Sequence, residues 1–157
     1  MSMEQATKLE PIHKTITVNC SVEHAFHTFT ERISEWWPLE MHSVGAEILK
    51  VRPETVGFEG GVGGRLVERM EGGGEATWAD VLAWEPPHRL VLAWKPNPGR
   101  QAPTEIEVTF VAEPSGETRV DLEHRGWERL GDEGREVREG YSDWERVLAL
   151  YAEVANR

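Results

Sequence analysis

Residues 132–156 read DEGREVREGYSDWERVLALYAEVAN, with apolar side chains at Val137, Tyr141, Trp144, Leu148, Tyr151 and Ala155. Gaps of three and four residues place these side chains on one stripe of an α-helix, which Val147 and Val154 widen. Glu136, Arg138, Glu139, Asp143, Glu145 and Arg146 fall mostly off that stripe. One long helix is expected here, with an apolar side that must be laid on something. The chain between Val44 and Gly126 reads as short strands, so an antiparallel sheet with one apolar face is the natural partner. A sheet that curves round this helix is the expected architecture.

Upstream, residues 1–11 read as a flexible tail and 12–157 as one domain. From His13 to Cys20 the apolar Ile16, Val18 and Cys20 alternate with Thr15, Thr17 and Asn19, a strand pattern. Ser21 is a good N-cap for a helix on which Val22, Phe26, Phe29 and Ile33 share a face, broken near Arg32 and stopped by Pro38. Strands are expected over 46–52, 56–59, 65–70, 76–84 and 89–94, with a mobile Pro-rich loop over 95–103. Ile106, Val108 and Phe110, then Val120, Leu122 and His124, mark the inner faces of two further strands. In 76–84, Trp78, Asp80, Leu82 and Trp84 share one face and Thr77, Ala79, Val81 and Ala83 the other; both are partly apolar, and the inward one is undecided. The fold class is α+β.

Composition narrows the function. Twenty-eight acidic residues against 17 Lys and Arg give a formal charge of −11, which repels phosphate backbones and anionic lipid surfaces and argues against nucleic acid as a partner. No stretch approaches the roughly 20 apolar residues of a membrane helix, and the first residues show no signal-peptide pattern, so a cytoplasmic location is expected. A single cysteine, Cys20, forbids an intrachain disulfide and reads as a buried structural thiol. Seven tryptophans argue for a large aromatic-lined interior.

Few residues carry recognisable chemistry. His24 and His27 are helical neighbours, but both point off the apolar stripe and lack a third ligand, so they read as a solvated face rather than a metal site. The cluster Gly60-Gly61-Val62-Gly63-Gly64 lacks the Gly-Lys-Ser/Thr ending of a phosphate loop and leads into a strand, which makes it a hairpin turn. No cofactor motif is present. His124 occupies an inward strand slot, either as a hydrogen-bonded core histidine or as a polar anchor in a cavity. Glu68 shares a face with Leu66 and Met70; if it too points inward, the two form either a polar pair for a ligand hydroxyl or an acid/base couple.

The run VNCSVEHAFHTFTERISEWWP (18–38), the Gly63-Gly64-Arg65 turn, VLAWEPPHRLVLAW (81–94) and the closing Trp144-x-x-Val147-Leu148 together resemble the Hsp90 ATPase activator homologue-like family of the START-like (SRPBCC) superfamily. This chain has Trp36-Trp37-Pro38-Leu39 where that family often shows Trp-Trp-Gly-Pro, Ala93 where it shows Thr, and Asp143 where it shows Gly. The resemblance implies a helix-grip fold with a deep apolar cavity between sheet and terminal helix. Its walls would be Phe29, Ile33, Trp37, Leu66, Glu68, Phe110, Leu122, His124, Tyr141, Trp144 and Leu148. The leading expectation is binding of a small, largely apolar molecule. An enzyme using the same cavity for acid/base chemistry on a hydrophobic substrate is the rival, and a co-chaperone module with a chaperone partner is the third reading. The resemblance also admits a homodimer.

Overall fold

The computed structural model describes residues 9–97 and 102–157. After β1 (Ile12–Val18) come α1 (Val22–Thr30), a 3-10 turn at Ile33–Glu35 and a π-helical turn at Gly45–Leu49. Six strands follow: β2 (Pro53–Phe58), β3 (Arg65–Met70), β4 (Glu75–Glu85), β5 (Arg89–Trp94), β6 (Thr104–Ala112) and β7 (Thr118–Arg125). A 3-10 segment (Trp127–Glu133), α2 (Gly134–Glu139) and α3 (Trp144–Ala155) end the chain.

All seven strands join one antiparallel sheet in the order β1-β7-β6-β5-β4-β3-β2. The first strand thus pairs with the last, Ile16 opposite Val120, and the rest is a meander. The alternation in β6 and β7 is what the inward faces require: Ile106, Val108, Phe110, Val120, Leu122 and His124 are buried, while Glu105, Glu107, Glu123 and Arg125 form ion pairs on the outer face. The curled sheet with α3 laid across it is an α+β, helix-grip architecture.

At the N-terminal end, Ser21 caps α1 by accepting the His24 N–H at 3.1 Å. Leu9 packs on the core and the Glu10 carbonyl accepts from Arg138 Nε at 2.7 Å; residues 1–8 of the expected tail lie outside the described residues. So do residues 98–101 of the expected mobile loop. The glycine cluster is the β2–β3 hairpin turn: Gly61 and Gly63 have φ of +83° and +87°, and a Cβ on Gly64 would lie 2.0 Å from the Glu59 carbonyl oxygen.

Three expectations give way. The terminal stretch is not one helix: Gly140, Tyr141, Ser142 and Asp143 form turns between α2 and α3. Gly140 and Ser142 are weak helix formers, and Asp143, at φ −100° and ψ 18°, turns its carboxylate to His42 instead of its own helix. The strand expected over 46–52 is largely the π-helical turn, ended by Lys50 in the left-handed region at φ 58°. The buried Glu68 carboxylate takes the Val44 and Gly45 N–H groups, so this backbone finds its partners in a side chain and not in a ladder. His24 is half-buried, with Nε2 unpartnered among the described residues, because the buried arc of α1 also takes in Thr28 and Thr30.

Strand β4 settles the undecided face by using both. Against β3 its pairing shifts past Trp78, and against β5 it shifts past Leu82. These bulges reset the parity, so Trp78, Ala79 and Val81 are buried, Leu82 is exposed, and Trp84 meets Phe26 edge-on at 5.4 Å.

Candidate functional site

The space between sheet and α3 is packed solid at one end. Phe29 from α1 meets Trp36 at 5.1 Å, Phe110 at 5.8 Å and Tyr151 at 5.1 Å between ring centroids. Ile33, Leu66, Leu122 and Leu148 are buried in the same core. Of the residues expected to wall a cavity, Phe29, Ile33, Leu66, Phe110, Leu122 and Leu148 are core residues that do not line the open space.

At the other end a cavity of about 480 Å³ remains, within the usual range for small-molecule sites. Trp78 of β4 and Trp94 of β5 form its floor, Tyr141, Trp144 and Val147 its roof, and Trp37, Ser43 and Val44 a side wall. Trp37 sits at the centre of the aromatic set, with centroids 5.2 Å from Trp78, 6.1 Å from Trp94 and 6.2 Å from Trp144. The mouth is polar and acidic, carrying His42, Glu47, Glu133, Glu136 and Asp143.

Every indole N–H on these walls is already engaged. Trp37 donates to the His42 carbonyl at 3.0 Å, Trp78 to Glu68 Oε1 at 3.0 Å, Trp94 to the Tyr141 hydroxyl at 2.7 Å and Trp144 to His124 Nδ1 at 3.2 Å. The walls therefore offer aromatic faces and edges, which suits a flat apolar guest.

His124 points inward but does not reach the cavity. Because an indole only donates, Nδ1 must accept from Trp144; the ring proton is then on Nε2, which donates to Thr104 Oγ1 at 2.8 Å. Burial pushes its pKa down to about 3, so the imidazole stays neutral as a structural link between β7, β6 and α3.

Glu68 is equally enclosed. Its carboxylate accepts from Ser43 Oγ at 2.5 Å, Val44 N at 2.8 Å, Gly45 N at 3.2 Å and Trp78 Nε1 at 3.0 Å. A Cβ on Gly45 would lie 2.8 Å from Glu68 Oε2, so only glycine lets the backbone approach this closely. Glu68 and His124 share no partner and neither lines the cavity; the acid/base couple considered from sequence is not formed.

Sequence reasoning missed one polar pair. His42 Nε2 lies 2.5 Å from Asp143 Oδ2 at the cavity mouth, both side chains about one-third exposed (32% and 31%). The partners are 101 residues apart, a separation that no local pattern reports. Trp78 and Trp94 were also missed as walls, Trp78 because the bulges hide its face. Among the described residues no three His, Cys, Asp or Glu side chains gather as a metal site, and no helix is long and apolar enough to cross a membrane.

Comparison with known proteins gives this geometry a context. Among solved structures, the anthrahydroquino-γ-pyrone synthase Txn09 is 34% identical, with 94% of this chain and 98% of that one covered at a TM-score of 0.61. The self-sacrificing resistance protein CalC from Micromonospora echinospora is 31% identical, with 92% and 93% covered at 0.67. The Aha1 dimer from Colwellia psychrerythraea shares the fold at 16% identity, with 94% and 97% covered at 0.67. No curated protein sequence matches. Residues 19–153 match the family described as activator of Hsp90 ATPase homolog 1-like protein, and the chain belongs to that family.

Proposed function

We propose that this protein binds a flat, fused-ring, oxygenated aromatic molecule in the cavity between its sheet and α3. The observation that carries this reading is the wall itself: Trp37, Trp78, Trp94, Tyr141 and Trp144 surround about 480 Å³ with their indole N–H groups turned to protein partners. Such a surface rewards a guest that brings apolar area, at roughly 25 cal/mol per Å² removed from water, together with ring faces that stack. The polar mouth, with His42 and Asp143, receives the oxygenated edge. The synthase at 34% identity supports the same class, since its name describes a fused-ring oxygenated product.

Titration with 1,8-dihydroxyanthraquinone, followed by tryptophan fluorescence and by the dye's own absorbance, tests the reading. Saturable quenching is expected, and Trp37→Leu should weaken binding about tenfold, the loss of one stacking partner. Val147→Phe, which puts a ring into the cavity, should abolish binding. Unsaturable quenching, or equal affinity in all three proteins, would remove the proposal.

A further inference from the structure

The geometry points to a catalytic use of the cavity mouth: His42, oriented by Asp143, is a general base that takes a proton from an acidic carbon of the bound aromatic. This rests on the ligand reading above and adds an activity to it. Asp143 Oδ2 lies 2.5 Å from His42 Nε2, so the ring proton sits on Nε2 and points at the carboxylate. Nδ1 is then left with a lone pair, and the described residues offer it no other hydrogen bond. This arrangement, a base whose second nitrogen is held by a carboxylate, is what a histidine needs to accept a proton and carry the charge.

What separates this pair from an ordinary surface contact is how firmly His42 is held. Its N–H donates to the Pro38 carbonyl at 3.0 Å, and its own carbonyl accepts from the Trp37 indole at 3.0 Å. The next residue, Ser43, is fastened to the buried Glu68 at 2.5 Å. Glu68 thus has a task that its enclosure otherwise leaves unexplained: it anchors the segment that presents the base. Asp143 is held at the break between α2 and α3, next to Trp144 of the cavity roof. His27 of α1 and Glu31 at its C-cap provide the contrast, an exposed pair 2.7 Å apart that does not line the cavity.

The step balances without a further reactant. A C–H bond of the guest breaks at a carbon conjugated with a carbonyl, directly or, as in anthrone, through the fused rings; its proton passes to Nδ1, and the electron pair moves to the carbonyl oxygen as an enolate or aryloxide. The imidazolium so formed is neutralised by Asp143, and proton return from imidazolium or water closes the cycle. In a substrate with a second carbonyl, the enolate carbon bonds to that carbonyl carbon, its C=O π pair passes to the oxygen, and the His42 imidazolium returns its proton there. Asp143 acts through His42 and is a positioning residue.

Anthrone, a three-ring ketone with one acidic methylene, is a direct probe. Under anaerobic conditions in D2O, exchange at that methylene is followed by NMR while binding is followed by fluorescence quenching. The protein should accelerate exchange by about 10²-fold or more over buffer, the usual reach of a general base. His42→Gln should return the rate to that of buffer when measured at saturating anthrone, so that any loss of affinity at the mouth is separated from the loss of rate, and free imidazole should restore part of the rate to His42→Ala. Asp143→Asn should slow exchange at saturating anthrone, with partial recovery in Asp143→Glu. Binding with exchange at the buffer rate, or full exchange in His42→Gln, overturns the base assignment and leaves the binding site standing. Absence of quenching by both anthrone and the dihydroxyanthraquinone overturns both.

Discussion

The two ends of the sheet–helix interface are built from the same kinds of residue and behave differently. Around Phe29, Trp36, Phe110 and Tyr151, rings meet within 6 Å, mostly edge to face, and all four residues are buried. Around Trp37, Trp78, Trp94 and Trp144, the rings stand 5.2 to 6.4 Å apart and enclose an open volume. Trp36 and Trp37 are chain neighbours, yet they belong to opposite ends. The difference lies in backbone course rather than in hydrophobicity: the break before Trp144 and the π-helical turn at Gly45–Leu49 border the open end, whereas α1 and unbroken α3 cover the closed one. His124 and His42 divide in the same way. His124 has both nitrogens satisfied by protein, while His42 has one nitrogen committed to Asp143 and faces the cavity.

The largest test of that division is pH. His124 holds a folded pKa of about 3 against an ordinary value of 6.5. Between those values the unfolded chain carries the proton and the folded chain does not, so stability falls as pH drops through this window and is unaffected by this group above it. The loss should reach on the order of 4 kcal/mol at the acid end. Urea midpoints measured from pH 7 to 4 should decline more steeply in the native protein than in His124→Gln, where the amide accepts from Trp144 and donates to Thr104 without titrating. Parallel curves would mean that His124 is protonated in the fold and that the neutral link is wrongly assigned.

Much of the closed end is legible from residue order alone. The alternation in β6 and β7 marks six inward residues and misses only the buried Thr104 and Thr118 at the strand starts, and Ser21, Phe26 and Phe29 define α1 with its cap and face. The apolar stripe over Trp144, Leu148, Tyr151 and Ala155 likewise finds the helix that the sheet grips. The open end resists such reading for three physical reasons. Periodicity assumes one parity per strand, and the bulges of β4 break it, which hides Trp78. It also assumes that backbone groups pair with backbone, but Glu68 captures the Val44 and Gly45 amides and turns an expected strand into a helical turn. Finally, Gly140 to Asp143 continue the apolar spacing while interrupting the helix, and the His42–Asp143 contact responsible for Asp143's orientation spans the whole fold. Tyr141, Trp144 and Trp37 were reachable; the polar residues that face them were not.

The anchoring role of Glu68 is tested by Glu68→Gln, which keeps the shape and replaces one acceptor oxygen by a donor amide facing other donors. A buried donor left without a partner costs about 1–3 kcal/mol, and the effect should be local to the open end. The native-state protection of the Val44 and Gly45 amides against hydrogen exchange should fall, while that of Val108 and Leu122 in the closed end falls only with global stability. Uniform loss of protection would show Glu68 to be a general core residue and would remove the reason for assigning it to the segment that carries His42.

The smallest effect gives the sharpest contrast, because it asks the same substitution of both ends. Val108 in β6 and Val147 in α3 are both buried, at 0% and 2% exposure, so burial alone predicts equal responses to one added methylene. Val108 is fully buried in the core between Leu90 and Leu122, its cross-strand neighbours, and does not line the cavity. Overpacking of that kind costs about 1–3 kcal/mol. Val147 borders the cavity, where an added methylene displaces solvent and gains contact with the aromatic wall. Val147→Leu should therefore leave the melting temperature within the range of a change below about 1 kcal/mol, or raise it, while Val108→Leu lowers it measurably. Equal destabilisation would mean that the roof is as tightly packed as the core, and the open end would then have to be read as a surface groove rather than as a chamber held ready for a guest.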